Sequence, residues 1–366
     1  MTQPSVETLT LFDLVAREWQ AGAAVAELAF SRDGAALAAA TIAGGVAIAA
    51  VADAEPPEAR IRVSGDVGQT TIRPRTGRPV PLVALGRLAD RAPALAALQG
   101  GFLVGDGDGR VLRVAADGSA APAGIALRGP VLALDAGAAD RRIAASDGAE
   151  LVVLDDGGPA RFALRGAAAL GFAPDGARLG IALGDGLAIV EAAGGLRILP
   201  LPAEGPVRWR DDGACLAAGL GQAGLGIAAA ASDETATLGN FPGAVRSLAW
   251  SARGRALVAA GAFRIAAWDE ETLLLPGATP RPLICGRAGL VLVEAVAAHP
   301  ARGLVAAGLA NGQVLIAEIG GRDELLLRQG GEAVTALAFS PDGRHLAIGD
   351  AGGTLAIATF PPQLFK

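Results

Sequence analysis

The sequence contains no tyrosine, and its 366 residues include only two cysteines and two histidines. Two cysteines cannot build the disulfide framework of a small secreted scaffold. So few cysteines and histidines also argue against a Cys/His zinc site, and they leave a histidine-based catalytic triad barely feasible in number. The motifs H-E-x-x-H, G-x-S-x-G and the P-loop are missing as well. We therefore expect a protein that is not an enzyme and has no metal or cofactor.

Charged residues are missing from two long stretches, residues 34–52 and 213–232. By length alone, each stretch could cross a membrane as a helix. Both consist mainly of alanine and glycine, which gain little free energy from lipid, and both fall at the same phase of the repeat described below. The N-terminus has neither the basic region nor the apolar run of a signal peptide. These features predict no membrane association and a cytoplasmic location.

Positive charge is in deficit overall. There are 31 Lys and Arg residues against 37 Asp and Glu residues, so the net charge is −6. Because an acidic chain is a poor general binder of nucleic acid, we do not expect nucleic acid as a partner. Lys366 is the only lysine. A bias of this kind, together with abundant alanine and glycine, is typical of a GC-rich genome, so a single arginine carries little functional weight.

A short pattern recurs along the chain. An alternating apolar strand runs into a tight turn, most clearly at residues 25–34, 168–176 and 334–343. Alternation with a period of two places one face of a strand in a core. In the turn Pro-Asp-Gly, proline fixes φ, aspartate bonds to the nearby backbone, and glycine takes the positive φ. A second strand, an Asp-Gly, Asn-Gly or Gly-Gly turn and a third strand follow each copy, which predicts consecutive hairpins.

The spacing of the copies indicates the architecture. The turn glycines fall near residues 34, 101, 138, 176, 213, 254, 303 and 343, and most gaps are 37 to 49 residues long. A period of about 40–45 residues with four short strands per unit is typical of propeller blades. We count eight inner strands and predict eight blades. Seven blades are the alternative, if one weak copy is misread.

These residues resemble the WD-repeat β-propeller family over roughly residues 20–360. The resemblance rests on the recurring Phe-Ser-Pro-Asp-Gly, as at residues 339–343, and on a strand ending in Trp268-Asp269. It implies an all-β, closed propeller of four-stranded blades, here a degenerate, bacterial-type member. The family's Gly-His dipeptide is missing, so its usual His-Ser-Asp-Trp network cannot form. We expect small-residue packing to hold the blades together instead.

Closure of the ring can also be predicted. The C-terminal part supplies three strands, at residues 334–340, 345–349 and 354–360. One spare strand is expected near the N-terminus, at residues 8–15, and it would complete the last blade and remove its open edge. The whole chain, residues 1–366, would then be a single propeller domain.

Several local motifs have simpler explanations than a functional site. Gly219-x-Gly221-x-x-Gly224 matches a dinucleotide fingerprint, but it falls on a blade turn with no helix after it. The Asp106-Gly-Asp108-Gly turn lacks the further acids of a calcium loop. Both histidines, at positions 299 and 345, are read as turn or strand-end residues. Cys215 is expected to be buried in a strand, whereas the proline-rich surroundings of Cys285 suggest exposure.

The most unusual segment is an insertion at residues 52–92. Between residues 60 and 91 it carries seven arginines against two acids, for a charge of +5. Long loops in compact domains are often functional, and guanidinium groups recognise carboxylates and phosphates. The segment has no aromatic residue on which a base could stack. We therefore predict that Arg73, Arg75 and Arg78 contact a protein partner, and the positive charge of the segment favours an acidic one. The alternative is a solvated surface loop.

The family resemblance implies a non-enzymatic protein-interaction scaffold, or a permanent subunit of a larger complex. Fold-level analogy alone is a weak basis for function. The alternative is a protein that binds a small molecule or a metal in the central channel. Such a site needs converging polar groups, yet most of the predicted inner strands are poor in acids and histidine. Trp209, with Arg208 and Arg210, belongs to the one more polar copy.

Overall fold

The computed structural model describes residues 9–63, 70–191, 194–275, 279–362 and 364. In these residues the chain forms eight antiparallel sheets arranged as propeller blades; seven have four strands and one has three. The prediction of eight blades is confirmed and the alternative of seven is wrong. No helix of the described part is both long and apolar enough to cross a membrane.

The strands of blades 1 to 4 follow one another from the channel outwards. In blade 1 they are Val25–Phe30, Ala36–Thr41, Val46–Ala50 and Val83–Leu85; in blade 2, Leu95–Leu98, Gly101–Gly105, Arg110–Ala115 and Ala120–Ala126; in blade 3, Ala133–Ala136, Ile143–Ser146, Glu150–Asp155 and Gly158–Ala163; in blade 4, Ala169–Phe172, Arg178–Ala182, Leu187–Glu191 and Leu196–Leu199.

Blades 5 to 8 follow the same plan. In blade 5 the strands are Val207–Trp209, Cys215–Gly219, Leu225–Ala229 and Thr235–Leu238; in blade 6, Leu248–Ser251, Ala256–Ala259 and Ala266–Asp269; in blade 7, Val293–Ala298, Leu304–Leu309, Val314–Glu318 and Glu324–Arg328; in blade 8, Val334–Phe339, His345–Asp350, Thr354–Thr359 and Ala16–Gln20. Short 3₁₀ turns lie at Ala138–Asp140, Gly221–Ala223 and Glu270–Thr272.

Blade 6 has three regular strands in the part of the chain that the structure describes. Its outer edge at Ala266–Asp269 is covered by one short bridge, in which Leu283 N–H donates to Ala267 O at 2.8 Å and Asp269 N–H donates to Arg281 O at 3.0 Å. Pro282 lies between these two contacts, and a proline has no N–H to donate. Because Arg281 and Leu283 make the hydrogen bonds, the nitrogen of Pro282 faces away from Ala266–Asp269, and the proline covers the sheet edge without loss of a hydrogen bond to the sheet.

The N-terminal strand completes blade 8, but it lies later in the chain than predicted. Ala16–Gln20 pairs antiparallel with Thr354–Thr359, in a register that places Glu18 opposite Ala356. The prediction of a strand over residues 8–15 is wrong for the described residues, because Leu11–Val15 is a short helix. Thr10 caps this helix: its hydroxyl accepts from Asp13 N–H, and the Asp13 carboxylate accepts from Thr10 N–H at 2.7 Å. Residue 8 lies outside the described residues.

Small residues let neighbouring blades approach closely, as expected. A Cβ atom added to Gly105 would lie 2.4 Å from the side chain of Val131, which precedes the inner strand of the next blade. Gly308 faces Val334 in the same way at 2.3 Å, and Gly349 faces Val25 at 2.4 Å. Real Cβ contacts are never that short, so the sheets could not pack at this separation with a larger residue at these glycines.

Small-residue packing is only part of what joins the blades. Each inner strand contacts the inner strands of its two neighbours, and blade 8 returns to blade 1. A hydrogen bond between a side chain and a backbone group also joins the two blades at each of the eight junctions. The side chain belongs to one blade, or to the segment leading into it, and the backbone group belongs to the neighbouring blade. The pairs are Glu27 with Leu95, Arg91 with Val131, Asp135 with Phe172, Trp209 with Gly171, Trp250 with Arg208, Ser247 with Val296, His299 with Gly343, and Thr335 with Val25.

Ser247 offers the cleanest test of these junctions. Its hydroxyl donates to Val296 O at 3.1 Å and accepts from Val296 N–H at 2.9 Å, and Val296 is only 4% exposed. Replacing Ser247 with alanine leaves both backbone groups without this partner, so we expect the free energy of unfolding to fall by about 1–3 kcal/mol in urea titrations. Ser119→Ala, in an exposed turn, should change it by less than about 0.5 kcal/mol. Equal effects would show that the Ser247 bonds do not hold blades 6 and 7 together.

Candidate functional site

The arginine-rich insertion begins after the third strand of blade 1 and is anchored to blade 8. The fourth strand of blade 1, Val83–Leu85, lies inside the predicted range of 52–92. The segment before it contains a short helix, Pro57–Arg60, and a hairpin of Ile61–Val63 with Thr70–Ile72. The last part of the predicted range, including Arg91, leads into blade 2 and lines the central channel.

Arg17 of the outer strand of blade 8 holds the start of the insertion. Its guanidinium is 3% exposed and donates to Val51 O at 2.6 Å, Ala52 O at 2.9 Å and Ala50 O at 3.2 Å. Its Nε lies 3.7 Å from the Asp53 carboxylate. One buried cation therefore connects the strand that closes the ring to the insertion from the neighbouring blade.

Arg75 is part of this anchor. Its guanidinium pairs with Asp53, and its side chain is only 15% exposed. Burial alone would raise the pKa of Asp53, but the hydrogen bonds from Arg75 and the Glu55 backbone, together with the charge of Arg17, hold that pKa below its usual value. Asp53 is therefore ionised at neutral pH and compensates the charge of two arginines.

Glu55 shapes the turn that carries the predicted contact residues. Its carboxylate accepts from the backbone N–H groups of Thr76 and Gly77, both at 2.9 Å. Arg60 adds further support: it donates to Leu14 O at 2.7 Å and Glu55 O at 3.0 Å, and its guanidinium also bonds to Arg73 O. The turn over residues 73–78 is thus held from several sides although it is not a regular strand.

The three predicted contact residues therefore fall into two groups. Arg75 is half-buried and paired, so its first role is structural. Arg73 and Arg78 are exposed, and neither guanidinium forms an ion pair with a described residue. An exposed cation on a fixed turn can meet a partner without a large ordering cost.

The central channel contains a cavity of about 470 Å³ that the blades form jointly. Its lining comes from seven of the eight blades or the segments leading into them. Arg208 and Arg246 line this cavity and are exposed; in the sequence they follow Val207 and Val245. Arg91 lines the cavity from the segment before blade 2. Arg246 precedes its inner strand, whereas Arg208 is one residue from the hairpin end of its own, so the three arginines reach the cavity from different levels of the channel.

Two acids lie at the same levels of the channel as the arginines. Glu27 lines the same cavity and is exposed to it, whereas Asp135 is at the level of Arg208, one residue before the end of its inner strand. The density of protein around the channel desolvates Glu27 and raises its pKa to about 7, although the charge of Arg208 and a hydrogen bond from the Leu95 backbone oppose the rise. Burial also raises the pKa of Asp135, whose carboxylate accepts from Phe172 N–H at 2.8 Å. At neutral pH, Glu27 is therefore only partly charged, and positive charge exceeds negative charge in the lining of the cavity.

The channel is more polar than the sequence suggested. The expectation that the inner strands are poor in acids overlooked Glu27 and Asp135. A signal is nevertheless present at the start of three inner strand regions, where the residue directly after the initial valine is polar: Arg246, Glu294 and Thr335 in blades 6 to 8. Arg208 also follows a valine, but its strand register places it three positions closer to the hairpin.

The remaining motifs are structural. Cys215 is buried as predicted, and burial raises the pKa of its thiol to about 11. The prediction that Cys285 is exposed is wrong: it is 4% exposed, because residues 281–285 pack between blades 6 and 7, and burial raises its pKa to about 12. His299 is buried with its ring 5.0 Å from that of Phe339. Among the described residues, no group of three or more His, Cys, Asp and Glu side chains could hold a metal ion.

The repeat and the fold can be compared with known proteins. Residues 325–357 match the family described as WD domain, G-beta repeat. This range covers the outer strand of blade 7 and most of blade 8, including the Phe-Ser-Pro-Asp-Gly turn. No curated protein matches the sequence. The resemblance to WD-repeat β-propellers is confirmed, by sequence in this repeat and by fold throughout the ring.

Several solved structures share the fold. The chain is similar to the Cps50 (Swd1) β-propeller domain of Myceliophteria thermophila, with 15% identity, a TM-score of 0.57, and coverage of 95% of this chain and 100% of that one. The RRP9 WD40 repeats give 14% identity, a TM-score of 0.54, and coverage of 97% and 100%. The C-terminal WD40 domain of Sif2 gives 12% identity and a TM-score of 0.62, and the match covers 95% of this chain and 99% of that one. At these identities the similarity establishes the WD40 propeller architecture.

Proposed function

We propose that this propeller is a non-enzymatic scaffold or subunit that binds a protein partner through the insertion on blade 1. The observation that carries the proposal is the turn over residues 73–78, where Arg73 and Arg78 are exposed while Arg75 and Glu55 fix the backbone. Scaffold roles are common in WD40 propellers, and the similarity to the Swd1 and RRP9 domains supports the same class of role here. A cytoplasmic location and a bacterial origin remain predictions from the sequence.

The charge of the segment favours an acidic partner surface. Two unpaired guanidinium groups on a body of net charge −6 form a local positive site, to which a carboxylate-rich surface would be steered. Guanidinium groups also bind carboxylates with two parallel hydrogen bonds, which adds orientation to the attraction.

The test compares two double variants. In Arg73→Ala/Arg78→Ala, we expect the co-purified partner to fall at least tenfold below wild type while the thermal midpoint stays unchanged, because neither side chain supports the fold. The control Arg128→Ala/Arg322→Ala removes the same charge from exposed positions on other blades. The readout is quantitative mass spectrometry of proteins captured with each tagged variant, repeated with the purified partner.

Retention of the same partner by both double variants would remove the insertion from the interface. Loss in both would indicate that only net charge matters. Arg75→Ala is unsuitable as a first test, since it also breaks the pair with Asp53 and would lower stability. A partner that leaves the wild-type protein at high salt would agree with a charged contact, because salt screens exposed charges.

A further inference from the structure

The cavity in the central channel contains two arginines, Arg208 and Arg246, whose side chains have no role at a blade junction between described residues or in the proposed scaffold contact. Its volume of about 470 Å³ is within the range of small-molecule sites. Arg91, Arg208 and Arg246 all line it, although they are far apart in the sequence and are brought together only because the ring closes.

These three arginines differ from many others in the chain. Arg110, Arg161 and Arg210, for example, form ion pairs at 2.7–2.8 Å. Arg91 and Arg208 instead donate to backbone oxygens, those of Val131 and Val207, both at 3.0 Å. Arg246, like these two, forms no ion pair with a described residue. Since each guanidinium has five N–H donors, most of the donors around the cavity remain available.

The acids of the channel offset only part of this positive charge: Arg208 lowers the pKa of both Glu27 and Asp135, and Glu27 lines the same cavity. The Asp135 carboxylate accepts from Phe172 N–H in blade 4, and Glu27 bonds to the Leu95 backbone in blade 2. Each of these acids therefore belongs to a junction between blades. Three like charges that share one confined cavity repel one another, and a bound anion would relieve that repulsion.

We propose that the channel binds a small oxyanion, a carboxylate or a phosphate group, between the guanidinium groups of Arg91, Arg208 and Arg246. Two of the arginines are pre-oriented by their backbone hydrogen bonds, so little side-chain entropy is lost when the anion binds. Thr335 and Ser247 line the same cavity, but their hydroxyl protons are donated to Val25 O and Val296 O, so the guanidinium groups are the donors for the anion.

Isothermal titration calorimetry with sulfate and with citrate tests the proposal on the full chain. We expect saturable binding of at least one anion to the wild-type protein, with one site per chain. Arg208→Gln and Arg246→Gln should each lower the affinity about tenfold or more, because each removes charge-assisted hydrogen bonds. Tighter binding of sulfate would indicate a phosphate-like ligand, and tighter binding of citrate would indicate a carboxylate.

Arg322→Gln is the matched control, since it removes an exposed arginine of blade 7 that neither lines the channel nor belongs to the insertion. Its affinity for either anion should equal that of the wild type, and circular dichroism verifies that all variants fold. If neither anion binds the wild type saturably, or if the control weakens binding as much as the channel variants do, the proposal is wrong. Neither outcome affects the partner contact at Arg73 and Arg78, which the capture experiment tests separately.

The pH dependence gives an independent readout from within the channel. Sulfate keeps its charge between about pH 6 and pH 8, whereas Glu27 ionises in this range because its pKa is raised to about 7. Arg208 opposes that rise and Asp135 adds to it, and Arg91 and Arg246 line the same cavity. As the pH rises, the ionised Glu27 repels sulfate and competes for Arg208, so the affinity should fall severalfold. Glu27→Gln should abolish the fall; an unchanged wild-type affinity would place the anion outside the channel.

Discussion

Replacing Asp53 with alanine should lower the free energy of unfolding by about 3 kcal/mol or more. Asp53 is the carboxylate that lies against both Arg17 and Arg75. Without it, Arg17 keeps its backbone contacts but remains a cation that is 3% exposed and has no counter-charge, next to a second guanidinium. Urea titration followed by circular dichroism measures the loss.

A double-mutant cycle identifies the cause of that loss. If the effect comes from uncompensated charge, adding Arg75→Ala to the Asp53→Ala background should cost much less than Arg75→Ala costs alone, because the repulsion between the two guanidinium groups is removed as well. Additive effects would indicate that the two residues contribute independently and that the anchor is not a charge cluster.

A matched control lies in the same part of the chain. Asp90 pairs with Arg87 at 2.6 Å, but these side chains are 95% and 67% exposed. Exposed pairs contribute little, so Asp90→Ala should change the free energy of unfolding by less than about 1 kcal/mol. A loss as large as that of Asp53→Ala would mean that burial is not what makes the Asp53 pairs strong.

The pH dependence of the Asp53 effect has a definite sign. The pKa of Asp53 is lower in the folded protein than in the unfolded chain. A group of this kind stabilises the fold above its unfolded pKa of about 4, and the stabilisation disappears as the pH falls through the folded pKa. The difference in the free energy of unfolding between wild type and Asp53→Ala should therefore have its maximum value at neutral pH and should decrease in acid.

The blades could be predicted because their signals are local. Each turn of the type Phe-Ser-Pro-Asp-Gly specifies its own geometry, so one copy suffices to place a hairpin and several copies in phase suffice to count blades. The N-terminal segment shows the limit of this reasoning. Leu11, Phe12 and Val15 suit an apolar strand in composition, but Thr10 and Asp13 form a capping box that starts a helix there instead.

The junctions between blades could not be predicted, because each uses a different side chain. Ser247, Trp209 and Glu27 perform the same task at three junctions, so no repeated residue marks it. The sequence also did not predict that arginines meet in the channel, for a related reason. Arg91 and Arg246 are 155 positions apart in the sequence and share a cavity only in the closed ring. The pairing of Arg75 with Asp53 likewise depends on how the insertion packs.

Deletion of residues 1–20 should have an even larger effect, because it removes the outer strand of blade 8 together with the Arg17 anchor to blade 1. The strand Thr354–Thr359 would lose its partner along all five paired positions, and its backbone would become an exposed sheet edge. Phe12 and Val15, at 6% and 2% exposure, would leave the core, and their burial contributes about 1.5–3 kcal/mol each. Together with the loss of Arg17, this is comparable to a typical total stability of about 5–15 kcal/mol.

We therefore expect the shortened chain to lose its cooperative unfolding transition or to aggregate through the exposed edge, as measured by thermal circular dichroism and light scattering. A synthetic peptide of residues 9–20, added in trans, should restore the transition, because it supplies both the strand and the capped helix. A scrambled peptide of the same composition should not, since it lacks the alternation that places Arg17 toward Asp53 and Trp19 toward Val80 O, 2.7 Å away. If the shortened protein unfolds as the wild type does, the contacts between inner strands, including that of Thr335 with Val25, suffice to hold the ring, and the N-terminal strand then serves only to cover an edge.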